Sequence, residues 1–166
     1  MITTQRSRGF TLIELLVVIA IIGILSAVVL ASLNSARAKG SDAGVKSNLS
    51  SVESQAAIFA SNNDGLFGVF DDGGGNPAAC PLPGDSGTTL FHDITVQNAI
   101  ASAVKDSAGG SALCLSNDAD YAVVVGRPVN AEPATTYWCI DHAPNHCGVN
   151  SNALTGVSCG ECVSLN

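Results

Sequence analysis

Arg8-Gly9-Phe10-Thr11-Leu12-Ile13-Glu14 begins a long apolar run, and after Glu14 no further charge appears before Arg37. The uncharged stretch 15–33 is roughly 19 residues long and would extend about 29 Å as a helix. That length is sufficient to cross the hydrocarbon core of a bilayer. The run therefore predicts one membrane-spanning helix at residues 10–33, preceded by a short polar leader of residues 1–9.

The positions of the charges and of the cysteines predict the same orientation in the membrane. Arg6 and Arg8 precede the apolar run, which places the N-terminus in the cytoplasm by the positive-inside rule. All cysteines follow the run, at Cys80, Cys114, Cys139, Cys147, Cys159 and Cys162. An even number of cysteines on the outer side of a membrane predicts structural disulfides formed in an oxidising compartment.

Glu14 is the unusual residue of the apolar run. A carboxylate inside a bilayer is costly unless a positive charge pairs with it at the same depth. Cleavage between Gly9 and Phe10 would create such a charge, the α-amino group of Phe10, one helical turn from Glu14. In a staggered array, the amine of one copy would also reach Glu14 of a neighbour. Because a misplaced copy would leave a charge unpaired, this pairing predicts a filament with fixed spacing.

The stretch from Arg8 to Leu25 resembles the prepilin signature of type IV pilins and type II secretion pseudopilins. Gly9, Phe10 and Glu14 match the family pattern of a leader-ending Gly, a mature N-terminal Phe and a Glu at the fifth mature position. The resemblance implies a pilin fold. It also implies that a membrane aspartyl prepilin peptidase cleaves after Gly9 and methylates the Phe10 amine.

This chain departs from many pilins at one point, because it has no helix-kinking proline between Phe10 and Asn76. We therefore expect a straighter helix, or one that melts locally at its glycines.

Three other interpretations compete for the N-terminal run. A secretory signal would be cut after Ala36-Arg37-Ala38, but its apolar region should be about 7–15 residues long. A plain membrane anchor gives no reason for Glu14. A buried core helix would not be apolar on all sides over this length.

The pattern becomes amphipathic at residues 34–62. Apolar residues recur there at steps of three and four, which predicts one buried helical face: Val45, Leu49, Val52, Ala56 and Phe59. Asp42 and Lys46 are spaced to pair across one turn. Asn62-Asn63-Asp64-Gly65 predicts the end of the helix. The remainder, 63–166, is predicted to be a small disulfide-bearing domain with an antiparallel sheet, so the fold class is α+β.

The domain itself shows weaker patterns. Tyr121–Gly126 predicts a strand from its β-branched content, with Thr135–Ile140 as its antiparallel neighbour. The other predicted elements are a loop at Leu66–Thr89, a strand at Thr89–Val96, a short helix at Asn98–Lys105 and a last strand at Val157–Val163.

The cysteines admit several interpretations. One pairing hypothesis joins Cys114 to Cys139 and uses the other four cysteines to tie the C-terminal tail to the loop of Cys80. Cys139-x-x-His142 followed by His146-Cys147 has zinc-ligand residue types, but reduced thiols are not expected outside the membrane. Cys159-x-x-Cys162 lacks the following helix that redox motifs use. The sequence therefore favours structural disulfides and predicts no metal.

Asp71-Asp72-Gly73-Gly74-Gly75-Asn76 is a turn-forming cluster with two carboxylates. Calcium is one possible ligand for it, and a solvated acidic turn is the favoured interpretation. No cofactor is predicted.

Composition narrows the function further. The net charge of −7 argues against nucleic acid as a default partner. No nucleophile elbow or phosphate loop is present in the sequence, so we predict a protein without enzymatic activity.

Three functions remain open. The first is a structural pilin that polymerises with copies of itself at the cell surface. It would follow a single-pass precursor in the cytoplasmic membrane and be assembled by an inner-membrane machinery. The second is a periplasmic pseudopilin of a type II secretion system, although six cysteines lean towards a pilus. The third is a monomeric membrane-anchored binding protein, for which Glu14 would be dispensable.

Overall fold

The computed structural model describes residues 9–107, 110–127, 137–143, 147–149 and 159. The chain divides into an N-terminal unit, Met1–Ala36, and a C-terminal unit, Arg37–Asn166. The helices are α1 (Leu12–Asn62), a 3-10 turn (Leu90–His92) and α2 (Ile94–Asp106). The strands are β1 (Ala78–Ala79), β2 (Ala112–Ser116), β3 (Tyr121–Gly126), β4 (Tyr137–Asp141) and β5 (Cys147–Val149). This arrangement confirms the predicted α+β class.

The N-terminal unit consists of the first half of α1. Its large apolar side chains are all exposed, from Leu12 at 87% to Leu33 at 42%. α1 is long and apolar enough to cross a membrane, with a mean hydropathy of 3.0 in its most apolar window. The helix is continuous through Gly23, Gly40 and Gly44, so the predicted local melting at glycines is not seen.

The second half of α1 packs into the C-terminal unit along the predicted stripe. Val45, Leu49, Val52 and Ala56 are buried, and Phe59 packs against the same core while partly exposed. These positions share one face because they recur at helical spacing. The stripe therefore supplies the helical side of the core.

The helix ends where the turn residues predicted. Asp64 has φ 56° and Gly65 has φ 82°, the left-handed conformation that stops a helix. The amide of Gly65 donates to the carbonyl of Ala60 at 2.8 Å, which satisfies one of the last helical carbonyls.

The five strands form one antiparallel sheet in the order β1-β2-β3-β4-β5. β3 confirms the predicted Tyr121–Gly126 strand, and each of its residues is buried. Its two faces contact different clusters. Val123 and Val125 belong to the core shared with α1 and α2, whereas Ala122 and Val124 pack with Cys159 on the other side. Burial on both faces explains why the sequence shows little alternation there.

The predicted strand at Thr89–Val96 is wrong. Leu90–His92 forms a 3-10 turn and α2 begins at Ile94. Asp93 caps α2, because its Oδ1 accepts from the amides of Thr95 at 2.8 Å and Val96 at 3.2 Å. A local cap overrides the β preference of the following residues. The helix predicted at Asn98–Lys105 is confirmed, and it starts four residues earlier.

Several shorter strands were missed or misplaced. β1 lies inside the predicted Leu66–Thr89 loop and pairs Ala78 with Cys114. β2 and β5 were not predicted at all. The strand expected at Thr135–Ile140 is β4, Tyr137–Asp141. The strand expected at Val157–Val163 lies outside the described residues, except for Cys159, which is not in a strand.

Candidate functional site

The backbone just before α1 is open. Gly9, Phe10 and Thr11 precede the first helical residue, and all three are exposed. The side chain of Phe10 is 77% exposed, and no atom lies within 4 Å of a Cβ placed on Gly9. The Gly9–Phe10 peptide therefore lies in accessible, non-helical chain, which suits cleavage by a peptidase.

Thr11 and Glu14 form a reciprocal cap at the start of α1. The hydroxyl oxygen of Thr11 accepts from the Glu14 amide at 3.2 Å. The Glu14 Oε2 accepts from the Thr11 amide at 2.9 Å and from the Thr11 hydroxyl at 2.8 Å. This geometry is a capping box, in which two otherwise unsatisfied amides gain partners. This role of Thr11 was not predicted, although the Thr-x-x-Glu spacing is the signature of such a cap.

The cap gives the Glu14 carboxylate hydrogen-bond partners that the sequence did not predict. Its carboxylate has local donors, and its place in the first turn is favourable for the helix dipole. Both of these hydrogen bonds use Oε2, and Oε1 makes no hydrogen bond to any residue that the structure describes. The chain therefore fixes the direction of the carboxylate and leaves one oxygen for a further donor.

A second carboxylate on α1, Asp42, is fully engaged within the C-terminal unit. Arg127 donates through Nε to Oδ1 at 3.0 Å and through Nη2 to Oδ2 at 3.3 Å, while the indole Nε1 of Trp138 donates to Oδ1 at 2.6 Å. Lys46 confirms the predicted pair with Asp42, at 3.7 Å, and also lies 4.2 Å from the centroid of the Trp138 ring. Because Arg127 and Trp138 are distant in sequence, this cluster was not predicted.

Two disulfides are present among the described residues, and they correct the pairing hypothesis. Cys80 bonds Cys114, with 5.0 Å between their Cα atoms, and Cys139 bonds Cys159, with 5.7 Å. The predicted Cys114–Cys139 bond is wrong because β3 separates β2 from β4. These two cysteines also pack in different clusters, one on each face of the sheet.

The remaining two cysteines are not placed by these bonds. The backbone of Cys147 lies in β5 as the register partner of Cys139, and its side chain is outside the described part of the chain. Cys162 lies outside it entirely. Cys80 is joined to β2, so it does not tie the C-terminal tail as predicted.

Asp141 reinforces the attachment of Cys159. Asp141 lies in β4, two residues after the disulfide-bonded Cys139. Its Oδ2 accepts from the Cys159 amide at 3.0 Å. Its Oδ1 is buried and has no hydrogen-bond partner among the described residues. The end of β4 thus holds Cys159 both covalently and through its backbone.

The zinc and redox interpretations find no support in the placed residues. Cys139 is in a disulfide with Cys159, so neither sulfur is available here as a thiolate ligand. The Nδ1 of His142 lies at hydrogen-bond distance, 3.2 Å, from the Oδ1 of Asp120 in an exposed contact. No group of three potential metal ligands occurs in the described ranges. His146 lies outside them.

The two carboxylates of the glycine-rich loop bind the loop itself. Asp71 accepts from the amides of Gly73 and Gly75. Asp72 accepts from the Asn76 side chain and from the amides of Gly74 and Asn76, and these bonds lower its pKa below the usual aspartate value. The geometry is that of the acidic turn that the sequence favoured, and the calcium alternative is untested.

These features define a class of protein: an apolar N-terminal helix suited to a membrane, continuous with the helix of a small disulfide-bonded α+β domain. A family model described as the prokaryotic N-terminal methylation motif matches residues 4–30. The type IV major pilin protein PilA of Myxococcus xanthus (strain DK1622) is 34% identical over 113 residues. That alignment covers 68% of this chain and 50% of the relative, so the chain spans about half the length of the curated relative.

No solved structure matches the chain. The motif covers the start of α1, and the aligned relative is a type IV major pilin. Both matches support membership of the type IV pilin family.

Proposed function

We propose that this chain is a subunit of a type IV pilus-like filament. A prepilin peptidase cleaves the Gly9–Phe10 bond and methylates the new Phe10 amine. Before assembly the precursor spans the cytoplasmic membrane once, with its N-terminus in the cytoplasm. An inner-membrane assembly machinery then moves it into a cell-surface filament, where the first half of α1 packs against other copies.

The observation that carries this proposal is the placement of Glu14. It is the one acidic residue of the exposed apolar helix, and Thr11 holds it at the first turn with Oε2 engaged. A further donor at the depth of Oε1 would complete its hydrogen bonding. The freed amine of Phe10, four residues earlier, is such a donor, in the same copy or in a staggered neighbour.

Two observations favour a pilus over a pseudopilin. The relative that aligns with 68% of this chain is named a major pilin. Disulfides join Cys80, just after β1, to β2 and join β4 to Cys159, which suits a subunit exposed outside the cell. The pilus proposal therefore accounts for both the helix and the cross-linked sheet.

The test compares Glu14→Ala with the control Ser26→Ala, which removes a polar group from the same helix without removing a charge. We expect both variants to be cleaved. The yield of sheared filaments should fall about 100-fold for Glu14→Ala, because a charge left unpaired at membrane depth costs about 2.5–3.5 kcal/mol, and it should be unchanged for Ser26→Ala. Wild-type yield from Glu14→Ala would instead favour a monomeric membrane-anchored protein.

Thr11→Val separates the cap from the pairing. This variant loses the hydroxyl bonds but keeps the Glu14 carboxylate, so filament yield should fall less than for Glu14→Ala. An equal fall in both variants would mean that the cap, and not pairing with an amine, is what assembly needs.

A further inference from the structure

The charges of the C-terminal unit are separated along α1. The basal end, where α1 enters this unit, holds every Lys and Arg that follows residue 36: Arg37, Lys39, Lys46, Lys105 and Arg127. Arg127 and Lys46 both contact Asp42 on α1. Lys105 lies in the last turn of α2. The residue after it, Asp106, accepts a hydrogen bond from the Asn48 side chain of α1 at 3.0 Å, which places this turn beside α1. The basic side chains thus gather at one end.

The apical end, beyond the last turn of α1, is acidic and consists of Asp64, Asp71, Asp72, Asp118 and Asp120. Asp64 follows α1 directly, and the Phe67 amide donates to the carbonyl of Asp118 at 3.1 Å. Phe70 bridges to Ser116 at the end of β2, which brings the following carboxylates, Asp71 and Asp72, to the same end. None of the described Lys or Arg residues lies there.

The two ends do not neutralise each other within one copy. Residues 37–62 rise by roughly 38 Å along a helix, whereas salt screens charges beyond about 8 Å under physiological conditions. At the basal end, Asp42 is occupied by Arg127, but Arg37, Lys39 and Lys105 make no ion pair with any described residue. At the apical end, Asp118 is exposed and its carboxylate has no described partner.

We propose that the acidic apical end of one copy docks on the basic basal end of another copy of this chain. This inference rests on the proposed filament function and adds the contact that orients the C-terminal units. A head-to-tail contact uses two different surfaces, so it repeats along an open filament without closing. Complementary charge then sets orientation and register, and like-charged ends reject one another.

A second copy fits these surfaces better than a lipid bilayer. Anionic headgroups would attract the basal end, but they give no role to the acidic end of the same unit. Only a partner that carries both charges accounts for both ends, and another copy of the chain is such a partner.

The test reverses the charge at each end of the full-length chain and measures filament yield. The apical variant is Asp64→Lys with Asp118→Lys and Asp120→Lys, which changes the charge of the five apical positions from −5 to −5 + 6 = +1. The basal variant is Lys39→Glu with Lys105→Glu, which changes that end, its two aspartates included, from 5 − 2 = +3 to −1. Each variant thus makes the two ends alike in sign, and we expect each to lower the yield about tenfold. The combined variant restores opposite signs and should recover to within about threefold of the wild type.

A matched control adds positive charge between the two ends, at the exposed residues Ser51 and Ser54 midway along this part of α1, through Ser51→Lys and Ser54→Lys. Its yield should equal that of the wild type. Fluorescence of Trp138, the single tryptophan of the chain, verifies that each variant is folded before yields are compared.

The outcomes separate the docking proposal from the filament proposal. A combined variant no better than the single-end variants would overturn docking between the two ends, while wild-type filaments would still support the proposed function. A different outcome is a filament yield that falls in every variant with a reversed basal end, stays normal in the apical variant and does not recover in the combined variant. That result would assign the basal end to the membrane surface and would also overturn the proposal. A chain that forms no filaments at all would contradict the proposed function itself.

Discussion

The two halves of α1 are one continuous helix in two different environments. In the first half, Leu16 is 64% exposed and Ile24 is 68% exposed. In the second half, Val45 and Val52 are 0% exposed, and Leu49 is 2% exposed. Both halves are apolar, but the first is apolar on every side and the second on one stripe. A stripe can be covered by the sheet of the same chain, whereas an all-round apolar surface needs lipid or other copies.

Glu14 and Asp42, one carboxylate in each half of α1, follow the same division. Asp42 is 7% exposed and contacts Arg127 and Trp138 within its own unit. Among the described residues, the hydrogen-bond donors to the Glu14 carboxylate are the amide and hydroxyl of Thr11. The difference indicates that the second half of α1 finds its partners within one copy of the chain. The first half needs a partner from outside that copy, either lipid or another copy.

The largest expected effect is the loss of stability when Asp42, in the second half of α1, is replaced. Asp42→Ala removes the carboxylate that faces the buried Arg127, so the free energy of unfolding should fall by about 3–5 kcal/mol. The measurement is denaturant unfolding of the full chain in detergent micelles, followed by Trp138 fluorescence. Lys46→Gln is the control, because its side chain is 52% exposed and its loss should cost about 1 kcal/mol or less. An Asp42→Ala protein as stable as this control would contradict the account.

Matched leucine truncations in the two halves sharpen the comparison. Leu49→Ala should destabilise the C-terminal unit by about 2–5 kcal/mol, because a buried side chain is removed. Leu16→Ala should leave that unfolding transition unchanged and should instead weaken filament assembly. Equal loss of stability in both variants would mean that the first half contributes to the fold of the same copy.

Removal of the Cys139–Cys159 disulfide tests how much this bond stabilises the C-terminal unit. Cys139→Ser with Cys159→Ser should lower the free energy of unfolding by about 2–4 kcal/mol, since the bond restricts the unfolded chain. Cleavage of the leader should continue at the wild-type rate, because the disulfide lies in the other unit. Peptide mapping without reduction gives the control, as the Cys80–Cys114 bond should persist. Loss of that second bond would show that the two disulfides form interdependently.

The smallest effect appears only at high pH. Burial raises the pKa of Tyr121 well above its usual value of 10, and the charges of Glu53 and Asp141 raise it further. A raised pKa in the folded state means that the stabilisation is complete below pH 10 and is lost as the pH rises above it. The free energy of unfolding should therefore fall more steeply above pH 10 in the wild type than in Tyr121→Phe. A Tyr137→Phe protein should behave as the wild type, and identical alkaline profiles for all three would refute the assignment.

Local patterns predicted the parts of the fold that depend on neighbours in sequence. Helical spacing gave the stripe from Val45 to Ala56, and β-branched content gave Tyr121–Gly126. The error at Leu90–Val96 is also local, since the Asp93 cap prevails over the β preference of Ile94 and Val96. The Thr11–Glu14 cap was visible in the spacing and was overlooked.

The contacts that join distant parts of the chain were not predictable in this way. Arg127 and Trp138 lie 85 and 96 residues from Asp42, so no sequence window contains the buried cluster. The disulfide pairing depends on which strands are neighbours, and that order emerges only when β3 takes its place between β2 and β4. The charge separation likewise requires knowing that α2 and β3 run back along α1.

Under the proposed function, the α-amine that cleavage creates pairs with Glu14 in the first half of α1. Mass spectrometry of the N-terminal peptide from purified filaments tests it most directly. We expect a chain that starts at Phe10 and carries one added methyl group on its α-nitrogen. A filament protein that retains Arg8 would have no free amine beside Glu14, and one that begins after Ala38 would lack Glu14 altogether. Either result would contradict this pairing.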